Sequence, residues 1–191
     1  MTKQDEMAKI AKLVEQCKGC NLNKVRKKPV VGEGSLDAKV LFIGEAPGRN
    51  EDLQGRPFVG RAGEILDELL DSRGIKRKEV FIANILKCRP PDNRNPLQSE
   101  IESCGKYLDR QIEIIKPKVI VTLGNFASSY IFEKFGLKYD KISKIHGKIF
   151  KIETLFGKLS IIPLYHPAVA VYNLNTKDTL VKDFKAIKDA V

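Results

Sequence analysis

Lys39–Gly48, KVLFIGEAPG, is the stretch on which the reading of the fold turns. Its first five residues read as a strand, four apolar residues after Lys39 with no polar alternation. They pass at once into a tight turn, Gly44-Glu45-Ala46-Pro47-Gly48, with an acid at its start. A near-continuous apolar run of this kind suits a parallel sheet covered on both faces. Outward from it the pattern recurs at Glu79–Ile85 (EVFIANI), at Lys118–Leu123 (KVIVTL, closed by Gly124-Asn125) and at Leu159–Tyr165 (LSIIPLY, closed by His166-Pro167). Helical periods lie between. Gly60–Ser72 sets Ile65, Leu66, Leu69 and Leu70 on one face, and Leu97, Ile101, Cys104, Leu108, Ile112 and Ile115 follow steps of 4, 3, 4, 4 and 3. Asn125–Lys134, Lys177–Ala190 and Lys3–Gln16 are further helix candidates, and Phe150–Phe156 with Leu159–Ile162 suggests an antiparallel hairpin across Gly157. This alternation predicts an α/β fold: a three-layer α/β/α sandwich on a central, mainly parallel four-stranded sheet, with residues 1–191 as one domain.

Composition narrows the classes. The chain has 191 residues, 42% hydrophobic and 30% charged, which fits a folded globular protein rather than a disordered tail. No apolar run approaches the ~18 residues of a membrane helix, and the amphipathic start MTKQDEMAKIAKLVEQC lacks the apolar core of a secretory signal. A cytoplasmic protein is expected. Thirty-four Lys and Arg against 24 Asp and Glu leave a net charge of +10. That charge suits phosphate neutralisation and equally a lysine-rich solvated surface. It is locally dense at Lys24, Arg26, Lys27 and Lys28, and again at Lys138, Lys141, Lys144, His146, Lys148 and Lys151, where interleaved Tyr139, Ile142 and Ile145 suggest a solvated face.

In open α/β sheets ligands bind at the carboxyl ends of the strands. Glu45, Asn84 and His166 each stand at or just beyond the end of a different expected strand, so parallel strands would bring all three to one rim. Of the two histidines, His166 is the better placed for acid–base or anion-stabilising work, and His146 reads as a surface or phosphate-side residue. Cys17-Lys18-Gly19-Cys20 is a CxxC, while Cys88 follows a strand and Cys104 lies on a helix, with 15 residues between them. The spacing favours one four-thiolate metal site over disulfides and leaves zinc and an iron–sulfur cluster both open.

The blocks GEAPGRNED (Gly44–Asp52), GRPFVGRAG (Gly55–Gly63), NILKCRPPDNRNP (Asn84–Pro96), KVIVTLG (Lys118–Gly124) and HPA (His166–Ala168), with the cysteine pattern, resemble the thermostable, iron–sulfur-containing family-four uracil-DNA glycosylases. The resemblance implies a DNA-repair enzyme that flips uracil from single- or double-stranded DNA and hydrolyses its N-glycosidic bond. It implies a [4Fe–4S] cluster of structural role on Cys17, Cys20, Cys88 and Cys104, and a monomer with a sliding clamp as a candidate partner. Gly44, Glu45, Phe58, Asn84 and His166 would bind uracil: Phe58 as a stacking wall, Asn84 as reader of the O4/N3–H edge, His166 as donor to O2. Family-one enzymes carry a GQDPY-like motif, and this chain has Ala46 and Gly48 where that motif has its Asp and Tyr. The water-positioning carboxylate must then be Glu45, with Glu51 as rival, and thymine must meet some other wall. Arg89, Asn93 and Arg94 are candidate phosphate contacts, and Val169–Asn175 is the candidate wedge into the space the base vacates.

Overall fold

A computed structural model describes residues 1–155, 157–171 and 173–191, with Leu174 described for its backbone alone. Among these residues the strands form a six-stranded sheet. They are β1 (Glu33–Gly34), β2 (Val40–Gly44), β3 (Phe81–Asn84), β4 (Val119–Leu123), β5 (Phe150–Thr154) and β6 (Gly157–Leu164). The spatial order is β1-β3-β2-β4-β6-β5, with β3, β2, β4 and β6 mutually parallel and β1 and β5 antiparallel at the edges. The four expected strands are thus the central ones. The expected hairpin is β5–β6, in which Gly157 pairs with Thr154 and so belongs to the second strand; Phe156 lies outside the described residues. The other edge, β1, is two residues long and ends on Gly34, where a Cβ would come within 1.9 Å of the Val80 carbonyl oxygen. A pair that short leaves no periodic signal in the sequence.

The helices are α1 (Lys3–Glu15), α2 (Arg49–Gln54), α3 (Arg61–Asp71), α4 (Gln98–Ile115), α5 (Asn125–Lys134), α6 (Ile142–Ile145), α7 (Leu174–Asp183) and α8 (Lys185–Ala190). Successive residues of β2 face opposite layers, as the pleat requires. Val40 and Phe42 join α3, α7 and α8 through Leu66, Leu69, Leu70, Leu180, Phe184 and Ile187. Leu41 and Ile43 join α4, α5 and α6 through Leu108, Ile112, Ile131, Phe132, Ile142 and Ile145. Each fully buried Leu, Ile or Phe contributes roughly 1.5–3 kcal/mol, which is why the apolar strands settle in the middle layer. The expected helix Lys177–Ala190 is interrupted at Phe184, whose buried ring stacks on Phe42 at 5.9 Å between centroids. In the basic stretch Lys138–Lys151 the lysines are exposed while Ile142 and Ile145 enter the core, so its solvated-face reading holds. No helix among the described residues is long and apolar enough to cross a membrane.

The topology fixes where a ligand can enter. From β2 the chain passes through α3 on one face to β3, then returns through α4 on the other face to β4 on the opposite side of β2. The crevice beyond the carboxyl end of β2 is therefore the switch point of the sheet, and Gly44-Glu45 occupy it.

Candidate functional site

A cleft of about 450 Å³ opens at this switch point, within the range of small-ligand sites. Glu45, Phe58, Asn84 and His166 all line it, together with Glu51 and Arg49. Strand register brings the first elements together: β2 and β3 end level, with Gly44 paired to Asn84. Gly44 is obligatory there, since a Cβ would lie 2.3 Å from Asn84 Oδ1 and 2.7 Å from Phe58 Cζ. On the far side of β2, Gly124 at the end of β4 donates its N–H to the Leu164 carbonyl, and the chain from β6 delivers His166 beside it.

Asn84 is 1% exposed, and its Oδ1 is buried with no hydrogen-bond partner among the described residues. An orphaned buried acceptor carries a cost of about 1–3 kcal/mol, and here it lies in the wall of a cleft where a ligand can satisfy it. Phe58 adopts a left-handed backbone, φ 48°, held by the close packing of Gly63, whose added Cβ would fall 2.0 Å from the Phe58 carbonyl oxygen. Its ring stacks on His166 at 5.6 Å between centroids and 27° between planes. His166 Nδ1 accepts the Ala168 backbone N–H at 3.1 Å, so in the neutral ring the proton resides on Nε2. Burial pushes the His166 pKa down to about 4, against the opposing pull of the Glu51 charge, so the ring is neutral near pH 7.

The two carboxylates of the turn differ sharply. Glu45 has no side-chain hydrogen bond among the described residues, and burial raises its pKa above the ordinary carboxylate value. Glu51, one turn into α2, has both oxygens committed: Oε1 accepts from Val59 and Gly60 N–H at 2.8 Å each, and Oε2 from Gly48 N–H at 3.1 Å. It clasps the GEAPG turn to the Phe58 loop.

The expected phosphate contacts are more dispersed. Asn93 and Arg94 line the cleft, but Arg94 is engaged with the buried Glu100 carboxylate, which also caps α4 by accepting from Leu97 N–H at 2.9 Å. Arg89 donates to Asn93 Oδ1 at 2.7 Å and stands outside the cleft lining. Val169 is exposed on the short helical turn after His166, while Tyr172 of the expected wedge lies outside the described residues. Arg49, exposed on the cleft rim with no ion pair among the described residues, was not singled out by the sequence. Its signal was present, a cation at the first position of the helix after the GEAPG turn. His146 is half-buried rather than a free surface group: it is bonded through Nδ1 to Asp183 at 2.7 Å, with its ring against Tyr165.

Behind the cleft, Cys17, Cys20, Cys88 and Cys104 border one small void with Arg26 and Tyr107. Ile10, Val14, Leu22, Leu86 and Ile114 make this region a third apolar cluster, in which α1 packs on α4. Three of the sulfurs already receive donors: Arg26 Nη1 reaches Cys88 Sγ at 3.1 Å, Lys87 N–H reaches Cys104 Sγ at 3.2 Å and Gly19 N–H reaches Cys17 Sγ at 3.4 Å. Burial pushes the metal-free Cys104 thiol up to about 11 and raises Cys88, partly offset by Arg26. Among the described residues no group of three or more His, Cys, Asp or Glu is arranged to hold a metal ion. The thiols are disposed around a void.

A family model described as the uracil DNA glycosylase superfamily matches residues 31–188. The chain is 47% identical over 186 residues to the Type-4 uracil-DNA glycosylase of Sulfurisphaera tokodaii, covering 97% of this chain and 84% of that protein. It is 46% identical to the Type-4 enzyme of Archaeoglobus fulgidus over 178 residues, 93% of this chain and 89% of that one. To the Type-4 enzyme of Saccharolobus solfataricus it is 46% identical over 188 residues, 98% and 87% of the two chains.

Proposed function

The chain belongs to the uracil-DNA glycosylase superfamily and, within it, to the type-4 enzymes, and from that premise we propose how its rim cleft takes an extruded uracil and hydrolyses the N-glycosidic bond. The protein is a DNA-repair hydrolase that leaves an abasic site. The observation that carries the site assignment is the gathering of a bare carboxylate, an unpartnered amide, a neutral imidazole and an aromatic face on one cleft.

Flipping the nucleotide costs roughly a few kcal/mol of unstacking, which stacking on Phe58 and the hydrogen bonds to the base offset. Asn84 accepts the uracil N3–H with Oδ1 and donates Nδ2–H to O4. Cytosine presents the reverse edge and would leave both groups unpaired, a discrimination that a hydrogen-bonding site makes large. As the bond between C1′ and N1 breaks, its electron pair leaves with the base and spreads onto O2. His166 Nε2–H, fixed in that tautomer by the Ala168 N–H on the other nitrogen, donates to this oxygen. Glu45, ionised, faces the cationic sugar, orients a water toward C1′ and takes the proton that the water loses. Glu51 holds the turn that carries Glu45 and is not assigned to the water, because three backbone N–H bonds already fix both its oxygens.

Cys17, Cys20, Cys88 and Cys104 would hold a [4Fe–4S] cluster. The all-thiolate donor set, the void they share and the N–H donors at three sulfurs support that fit. Bound, the group supplies a cross-link between the N-terminal segment, the loop after β3 and α4. No step of the hydrolysis moves an electron.

The test is an end-labelled oligonucleotide with one uracil, treated with the protein and then with alkali. Cleavage at the uracil and none at matched cytosine or thymine is expected; an intact uracil strand overturns the reading. A brown preparation with about four irons per chain is expected for the cluster, and colourless, iron-free active protein removes it.

A further inference from the structure

One buried cation has no part in this chemistry. Lys87 is 1% exposed, and its ammonium donates to the backbone carbonyl of Asn84 at 2.8 Å and to Gln111 Oε1 at 2.7 Å. No carboxylate pairs with it among the described residues. Burying an unpaired ammonium is costly, and an apolar side chain of similar length would fill the space without that cost. What the ammonium adds is two directed hydrogen bonds, and one of them ends on the residue that reads the base.

The rest of Lys87 is anchored from several sides. Its N–H donates to Cys104 Sγ on α4 at 3.2 Å, and its carbonyl accepts the Val30 N–H at 2.8 Å. Gln111, also on α4, is held in turn by donating Nε2–H to the Val31 carbonyl at 2.9 Å. A rigid bracket of α4 and the segment before β1 therefore presents the ammonium to the end of β3. The Asn84 amide has no hydrogen bond of its own to aim it among the described residues, so its direction follows from its backbone and from the contact with Gly44. Catalytic and binding groups need their orientation fixed by such support.

We propose that Lys87 is a positioning residue for base recognition: it grips the Asn84 carbonyl from behind and so fixes the aim of the Asn84 amide into the cleft. The proposal rests on Asn84 being the uracil reader. Lys87→Met keeps the length and the apolar stem and removes both donors. Single-turnover excision should fall about tenfold while the dissociation constant for uracil-containing DNA stays within about twofold. A residue of purely structural value would lower the melting temperature without this split. The deciding measurement is the cycle with Asn84→Ala, because residues acting through one another are non-additive. In that background Lys87→Met should change the excision rate by less than about twofold.

An equal loss in both backgrounds, or no loss in the otherwise unaltered protein, overturns the proposal. An Asn84→Ala protein that excises uracil at the normal rate overturns the reading beneath it instead, so the two failures are distinguishable. If Lys87→Met does not fold, Gln111→Met, which strips the ammonium of its second acceptor, reads the same coupling. A loss of about threefold that vanishes with Asn84→Ala is expected, and an additive or absent effect refutes the proposal.

Discussion

The cleft at the strand ends and the thiol-lined void behind it are separated by only a few residues of chain, Asn84 to Cys88, yet they treat their polar atoms in opposite ways. In the cleft the groups are left open: among the described residues Asn84 Oδ1 is buried without a partner, Glu45, its pKa raised by burial, has no side-chain bond, and His166 has a partner on Nδ1 alone. Around the void three of the four sulfurs already receive N–H donors, and apolar side chains wall them in. Unsatisfied buried groups cost stability unless a ligand completes them. On the proposed reading, substrate chemistry belongs to the first region and structural cohesion to the second. The same contrast recurs within the GEAPGRNED turn, where, among the described residues, Glu51 is bonded on both oxygens and Glu45 on neither.

The contrast breaks most readily at Glu45. Glu45→Gln should slow single-turnover excision by about 10²–10⁴-fold, the usual range for a lost acid–base group, with DNA binding little changed; equal rates would remove Glu45 from the chemistry. In the unsubstituted protein the acidic limb of the rate profile should lie above the ordinary carboxylate range, because burial disfavours the ionised form, and Glu45→Gln should abolish that limb.

His166→Ala should cost about 10²–10³-fold, as for other preorganised donors to a developing anion. It also carries a stability signature. The folded state holds the His166 pKa at about 4, below its unfolded value of roughly 6.5, so as pH falls the unfolded chain takes up the proton first. Stability should therefore be lost progressively as pH falls from about 6.5 to 4. Denaturant titrations across that window should give a shallower loss for His166→Ala.

Cys88→Ala sharpens the other half of the contrast. It should destabilise by about 3 kcal/mol or more, seen as a melting temperature lower by roughly 6–12 °C, while the excision rate of the folded fraction stays within about threefold. A collapsed rate at unchanged stability would unite the two regions. The smallest effect belongs to the rim. Arg49→Gln should weaken DNA binding a few-fold and reduce the slope of log K against log salt by about one unit, and an unchanged slope would clear Arg49 of phosphate contact.

The four central strands were legible because each is built on a near-continuous apolar run, a pattern that a doubly covered sheet explains, and α4 because its apolar stripe runs from Ile101 to Ile115, with Leu97 exposed at the cap before it. The edges were less so. β1 is two residues long, α2 and α6 are shorter than the window in which a period can be recognised, and the turn at Phe184 depends on a ring 142 positions away at Phe42. Among the site residues, Glu45, Asn84 and His166 could be named from their positions at strand ends. Lys87 could not: in sequence it is one more lysine among 34 basic residues, and only burial against Asn84 and Gln111 sets it apart.

The sequence by itself determined the layered α/β architecture, the rim on which the chemistry must lie and the thiols that could share one site, because strand periodicity and strand-end position are local properties of the chain. Which of two neighbouring carboxylates stays bare, which tautomer His166 holds and which lysine is buried were decided only by tertiary structure. Hydrogen-bond satisfaction and desolvation depend on what distant segments bring into contact, and no local pattern encodes that.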